Sequence, residues 1–181
     1  VNLQEIPRPA NADFASAIAV TSLPFSATPD VTNGGIEPNE PQACYYMTDT
    51  VWYAFTPTVK TLVSANTQGS VINSNLNVYH DTGSGISGLS LLPSGCTYSY
   101  GTVTFIAEPG QTYYFQAGGI YGQTGTVQVN LEQLPLPAND DFANAAIASL
   151  PLPFDNTVDT QYLTRQIGEP TPSCAYYGPG T

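Results

Sequence analysis

Catalysis needs particular polar groups in particular pairs, so the scarce ones set the limits here. His80 is the only histidine, and any histidine-based triad would have to use it. It follows an apolar run ending at Tyr79 and precedes Asp81-Thr82-Gly83-Ser84-Gly85, a turn by composition. Neighbouring strand residues point to opposite faces, so Asp81 is poorly placed to orient His80, which reads as a loop residue. Serine is abundant, yet no GxSxG nucleophile elbow occurs. Glu37, Glu40, Asp49 and Glu108 supply carboxyl groups, but nothing in their spacing sets two across a cleft. No glycine loop with a lysine is present to cradle phosphate. No catalytic residue is assigned, and the expectation is a protein that is not an enzyme.

Two other sets could bind. Asn11 and Asp13, and again Asn139, Asp140 and Asp141, offer hard oxygen ligands, with Glu37 or Glu169 able to join them. Calcium is the cofactor such a set would take. The same residues also serve as caps and dipole partners of two short helices, and that reading needs no metal. Tyr45, Tyr46, Tyr98, Tyr100 and Tyr121 fall in turn-like segments, where exposed rings could stack on sugars or grip a protein. Cross-strand and core pairing is the ordinary use of each ring taken singly.

Charge removes other partners. Lys60, Arg8 and Arg165 are the only bases among 181 residues, against 14 acids and a net charge of −11. No phosphate-neutralising patch can be assembled from them, so neither nucleic acid nor an anionic membrane surface is an expected partner. No apolar run approaches the ~20 residues that span a bilayer, so membrane insertion is not expected either. Solubility rests on Thr, Ser, Asn, Gln and Tyr, a composition associated with secreted and surface proteins.

The elements come from comparing the chain with itself. Residues 1–14 (VNLQEIPRPANADF) and 129–142 (VNLEQLPLPANDDF) share nine of fourteen positions at an offset of 128. Ser22-Leu23-Pro24-Phe25 then answers Ser149-Leu150-Pro151-Leu152-Pro153-Phe154, and Cys44-Tyr45-Tyr46 answers Cys174-Ala175-Tyr176-Tyr177. The expectation is a tandem repeat with a period near 128, seen through a window cut from a longer array. Residues 1–8 would end a preceding repeat, 9–134 form a complete one, and 135–181 open the next.

Within one repeat, residues 12–20 are alanine-rich with helical spacing and Asn11 at the N-cap; 139–148 repeat the pattern. Strands are expected around Val51–Thr56, Val59–Ala65, Val71–Tyr79, Thr102–Ala107, Thr112–Ala117 and Thr126–Leu131. Val127, Val129 and Leu131 share one face, and Tyr113 and Phe115 face the core with Tyr114 opposite. Glu108-Pro109-Gly110-Gln111 is expected to join two of these strands as a hairpin, and Gly118-Gly119 with Gly122–Gly125 to mark the next turn. A strand pattern also runs from Phe154 to Thr164. The fold class is all-β: an antiparallel, jelly-roll-like β-sandwich with one short N-terminal helix per repeat.

The order of these segments resembles the bacterial pre-peptidase C-terminal (PPC-like) domain. The resemblance rests on Asn139-Asp140-Asp141-Phe142-Ala143-Asn144-Ala145 with its Leu-Pro-Phe sequel, then Val51-Trp52-Tyr53-Ala54-Phe55 and Leu76-Asn77-Val78-Tyr79. It closes with Pro109-Gly110-Gln111-Thr112-Tyr113-Tyr114-Phe115 and the Gly118-Gly119…Gly125-Thr126 segment. It implies a β-sandwich attached to secreted bacterial enzymes or surface proteins, serving binding, targeting or structure. The first copy has Ala12-Asp13 where the second has Asp140-Asp141, which weakens any shared metal role.

The repeat also sorts the three cysteines. Cys174 matches Cys44, so Cys44 and Cys96 are expected to pair within the complete copy, leaving Cys174 for the remainder of the second. Three buried thiols are the alternative; zinc lacks its ligand spacing. The functional expectation is a non-enzymatic, extracellular structural or adhesive repeat of a bacterial surface protein or self-assembling filament. Its partners would be neighbouring repeats, copies of itself, a polysaccharide or an extracellular protein. The alternative is an accessory substrate-binding domain, for polysaccharide or protein, of a secreted hydrolase.

Overall fold

The computed structural model describes residues 7–99, 101–158, 160, 162 and 163. Two compact units divide the chain, Val1–Leu134 and Pro135–Thr181.

The first unit is a β-sandwich. Its strands are β1 (Ile18–Val20), β2 (Phe25–Ala27), β3 (Met47–Phe55), β4 (Thr61–Asn66) and β5 (Ser74–Asp81). β6 (Leu89–Tyr98), β7 (Thr102–Ala107), β8 (Tyr113–Ile120) and β9 (Val129–Leu134) follow. They form a five-stranded sheet in the order β1-β3-β8-β5-β6 and a four-stranded sheet in the order β2-β9-β4-β7. All pairings are antiparallel except β1 with β3. Alternation explains the packing. Val51, Tyr53 and Phe55 from β3, Tyr113, Phe115 and Ala117 from β8, and Leu76 and Val78 from β5 face the interior. Val63, Ala65, Val103, Val129 and Leu131 answer from the other sheet. Tyr113 and Phe115 point inward as their spacing requires, and Val127, Val129 and Leu131 are all fully buried.

Three expectations are corrected. Residues 12–20 are not an α-helix: a 3-10 turn spans Phe14–Ser16 and β1 follows. The open edge of β3 supplies backbone partners for Ile18–Val20, and that pairing overrides the weak local preference of the alanines. The segment 102–117 is not a hairpin, because β7 pairs with β4 while β8 lies between β3 and β5 in the opposite sheet. Glu108–Gln111 instead carries the chain across the core, where Phe105 packs against Tyr113 and Phe115 at centroid distances of 5.0 and 6.2 Å. Gly118 and Gly119 lie inside β8 rather than in a turn. A Cβ at Gly118 would run into the Asp49 carbonyl, and one at Gly119 into the Gln123 carbonyl. β2 and β6 are strands that no sequence pattern marked.

In the second unit, the expected helix at 139–148 is likewise a 3-10 turn, Phe142–Asn144. Its turn bonds repeat those of the first unit. Asp140 N donates to Pro137 O at 3.1 Å and Asn144 N to Asp141 O at 2.8 Å. Ala12 to Pro9 and Ser16 to Asp13 are the corresponding bonds, at 3.1 and 2.9 Å. Among the described residues of 154–164, none is in a strand.

Candidate functional site

β3 begins at Met47, opposite Ile120 at the end of β8; β5 begins at Ser74, opposite Gly119, and Asn75 faces Tyr98 at the end of β6. One end of the five-stranded sheet therefore gathers segments far apart in sequence. Cys44 and Cys96 are joined there as a disulfide, with Cα atoms 6.4 Å apart. The bond ties the segment leading into β3 to the edge strand β6. Close to these cysteines in sequence, Tyr45 and Tyr98 pack ring against ring with centroids 5.1 Å apart. Tyr121 N donates to Tyr46 O at 3.1 Å, so the next two tyrosines adjoin through the backbone.

All four rings are open to solvent: Tyr45 is 36%, Tyr46 61%, Tyr98 46% and Tyr121 70% exposed. Tyr98 belongs to the end of β6 rather than to a turn, and Tyr100 lies outside the described residues. Around them, Gln42 holds Met47 N through its Oε1 at 2.9 Å, and Gln123 holds Asn73 N in the same way at 2.9 Å. Amides thus fix the flanks of this end.

Beneath the segment 36–46 lies a buried polar layer that sequence reasoning missed. Asn75 and Asn77 alternate with Leu76 and Val78, and Gln116 with Phe115 and Ala117, so their spacing suggests a solvent face. The segment covers that face instead, and Asn75, Asn77 and Gln116 are fully buried. Asn75 Nδ2 donates to Asn77 Oδ1 at 2.9 Å. Gln116 Oε1 accepts from Asn77 Nδ2 at 2.9 Å and from the Tyr79 hydroxyl at 3.0 Å. Gln116 Nε2 donates to Glu40 Oε1 at 2.8 Å and to Pro41 O at 3.0 Å. Thr50 Oγ1 donates to the same Glu40 oxygen, and Glu37 N donates to Glu40 Oε2 at 2.9 Å. Burial pushes the Glu40 carboxyl above its ordinary range, against the pull of these donors. Burial also pushes the Tyr79 phenol up, which keeps it a proton donor.

Three members of the oxygen set expected for calcium have protein partners. Asn11 does not cap a helix: its Nδ2 donates to Trp52 O at 2.9 Å, and Trp52 N donates to Asn11 O at 2.8 Å. Asp13 holds the cap position without a side-chain cap bond, and its Oδ1 pairs with Arg8 Nη1 at 2.6 Å. Glu37 Oε2 accepts from Phe14 N at 2.7 Å, and the Phe14 ring packs edge-on against Trp52 at 5.4 Å. Asn139, Asp140 and Asp141 lie at the second 3-10 turn, and Glu169 falls outside the described residues. Among the described residues, no group of three or more His, Cys, Asp or Glu side chains is placed to hold a metal ion. His80 lies within β5, opposite Tyr113 and Ser90, and not in a loop. No described helix is long and apolar enough to cross a membrane.

No family model matches the chain, and neither does any curated protein. Several solved structures resemble it in fold. One is a pre-peptidase C-terminal domain. That domain, of collagenase from Bacillus anthracis, is 15% identical with a TM-score of 0.38, covering 71% of this chain and 100% of that one. PliG of Aeromonas hydrophila, a periplasmic inhibitor of g-type lysozyme, is 14% identical with a TM-score of 0.43, covering 65% and 96%. The Yersinia pseudotuberculosis-derived mitogen is 10% identical with a TM-score of 0.41, covering 61% and 86%.

Proposed function

We propose that the chain is a non-enzymatic, extracellular PPC-like repeat of a bacterial surface protein or filament, adhesive through its tyrosine-lined end. The observation that carries this reading is the exposure of Tyr45, Tyr46, Tyr98 and Tyr121 at the end of the sheet tied by Cys44–Cys96, with Tyr45 packed on Tyr98 and Tyr121 bonded through its backbone to Tyr46. Rings with an apolar face and a polar tip suit stacking on sugars or docking on protein. A disulfide beside them suits an oxidising compartment, and the 128-residue offset between similar segments suits an array of such modules.

The test is retention of the full chain on insoluble polysaccharides and on immobilised extracellular-matrix protein. Replacing Tyr46 and Tyr121 together by alanine removes two exposed rings and should leave stability within about 0.5 kcal/mol. Retention should fall by roughly tenfold, since each ring contributes about 0.5–1.5 kcal/mol. Unchanged retention on every surface that holds the native chain would sink the proposal.

A further inference from the structure

The polar layer has the parts of an acyl-transfer site, with both reacting partners supplied by the chain itself. Acyl transfer needs a nucleophile, a base to take its proton, a carbonyl to attack, and donors for the oxygen that becomes charged. Thr50 Oγ1 is a hydroxyl already donating to Glu40 Oε1. The Gln116 side chain is a carboxamide whose Nε2 donates to that same oxygen at 2.8 Å. Its Oε1 accepts two further bonds, from Asn77 Nδ2 at 2.9 Å and from the Tyr79 hydroxyl at 3.0 Å. Thr50, Asn77, Tyr79 and Gln116 are at most 1% exposed and Glu40 is 7% exposed, so bulk water is kept from the group.

We infer that Thr50 and Gln116 react to form an intramolecular ester that covalently joins β3 to β8. In this step Glu40 takes the proton from Thr50 Oγ1 as that oxygen attacks Gln116 Cδ. The Oγ1–Cδ bond forms, and the negative charge on Oε1 is held by Asn77 Nδ2–H and Tyr79 O–H. The Cδ–Nε2 bond then breaks, Glu40 returns the proton to Nε2, and ammonia leaves. Atoms balance as one hydroxyl and one carboxamide giving one ester and one ammonia, with nothing oxidised or reduced. Ammonia becomes ammonium in water and is diluted away, which draws the reaction forward, and exclusion of water protects the ester from hydrolysis.

Glu40 is general base and then general acid, placed for both by its contact with Thr50 Oγ1 and Gln116 Nε2, and burial makes its carboxylate a stronger base than an exposed glutamate. Asn77 and Tyr79 form the oxyanion hole. The segment 36–46 positions Glu40 and closes the site, and its end is fastened by the disulfide. The product would be a second covalent tie between segments distant in sequence, close to Cys44–Cys96.

Mass spectrometry of the purified full chain tests this directly. The intact mass should lie about 17 Da below the value for the disulfide-bonded sequence, the mass of one ammonia. A digest should contain the Thr50 and Gln116 peptides joined, and neutral hydroxylamine, which opens esters, should separate them. Thr50→Ser, which keeps a hydroxyl, should still link; Thr50→Val and Glu40→Gln should not. Native protein with Thr50 and Gln116 in separate, unmodified peptides would overturn the inference without any variant having to fold. A link that resists hydroxylamine, or one formed equally well in Glu40→Gln, would overturn it too.

Discussion

Replacing Cys44 and Cys96 together by serine should remove a large share of the stability of the sandwich. The disulfide closes a sequence separation of 52 residues. On the loop-entropy account, releasing that constraint in the unfolded chain costs about 4 kcal/mol at 25 °C. If the Thr50–Gln116 ester is present, the path from residue 44 to residue 96 through it is roughly 26 residues, and the logarithm lowers the loss only to about 3.5 kcal/mol. The expectation therefore survives either outcome of the mass measurement. For a unit of Val1–Leu134, an unfolding entropy of about 2.1 cal/mol/K per residue turns this loss into a fall in Tm of roughly 12–15 °C. Trp52 is the sole tryptophan and is fully buried, so its fluorescence reports urea unfolding of this unit. The urea slope should rise as well, because the unlinked chain expands further when unfolded. Changing both cysteines avoids leaving a thiol for Cys174, which lies outside the described residues. A loss below about 1 kcal/mol with an unchanged slope would mean that the link constrains little of the unfolded ensemble, contrary to the loop-entropy account.

Two more outcomes follow from the buried layer and the oxygen set. The Glu40 carboxyl is raised in the folded chain by burial, with Glu37 and Tyr79 the titratable groups facing it. The folded state therefore binds this proton more readily than the unfolded state does. Its favourable contribution is fully present below the ordinary value of 4.5 and is lost as pH rises through the raised one. Native protein should gain stability relative to Glu40→Gln on acidification through that window, and parallel stability curves would count against the assignment. Chelator should leave the melting curve of the full chain unchanged, because Asn11, Asp13 and Glu37 already bond Trp52, Arg8 and Phe14. A fall in Tm that added calcium restores would reverse that reading.

The tyrosines and the cysteines were both legible as residues, and for different reasons. The expected repeat pairs Cys44 with Cys96, because Cys174 would then be the counterpart of Cys44; the structure joins Cys44 and Cys96. Sequence places the tyrosines only in turn-like segments. Nothing local said that Tyr45 would meet Tyr98, or Tyr46 meet Tyr121, because those meetings depend on how β3, β8, β5 and β6 line up. The polar layer was not legible at all. An asparagine alternating with leucine looks the same whether water or another segment covers it.

The faces of the strands follow from the order of residues alone. Side-chain alternation is a property of each strand, so Tyr113, Phe115, Val127, Val129 and Leu131 could be assigned to the core without knowing their neighbours. Tertiary structure decided the partners. Residues 18–20 became a strand because β3 had an open edge, and β7 and β8 parted to opposite sheets because Phe105, Tyr113 and Phe115 pack across the interior. The same long-range choice set Thr50, Glu40 and Gln116 around one carboxylate oxygen. Alternation needs only adjacent residues, whereas pairing is settled by backbone hydrogen bonds and apolar burial between segments that the chain keeps far apart.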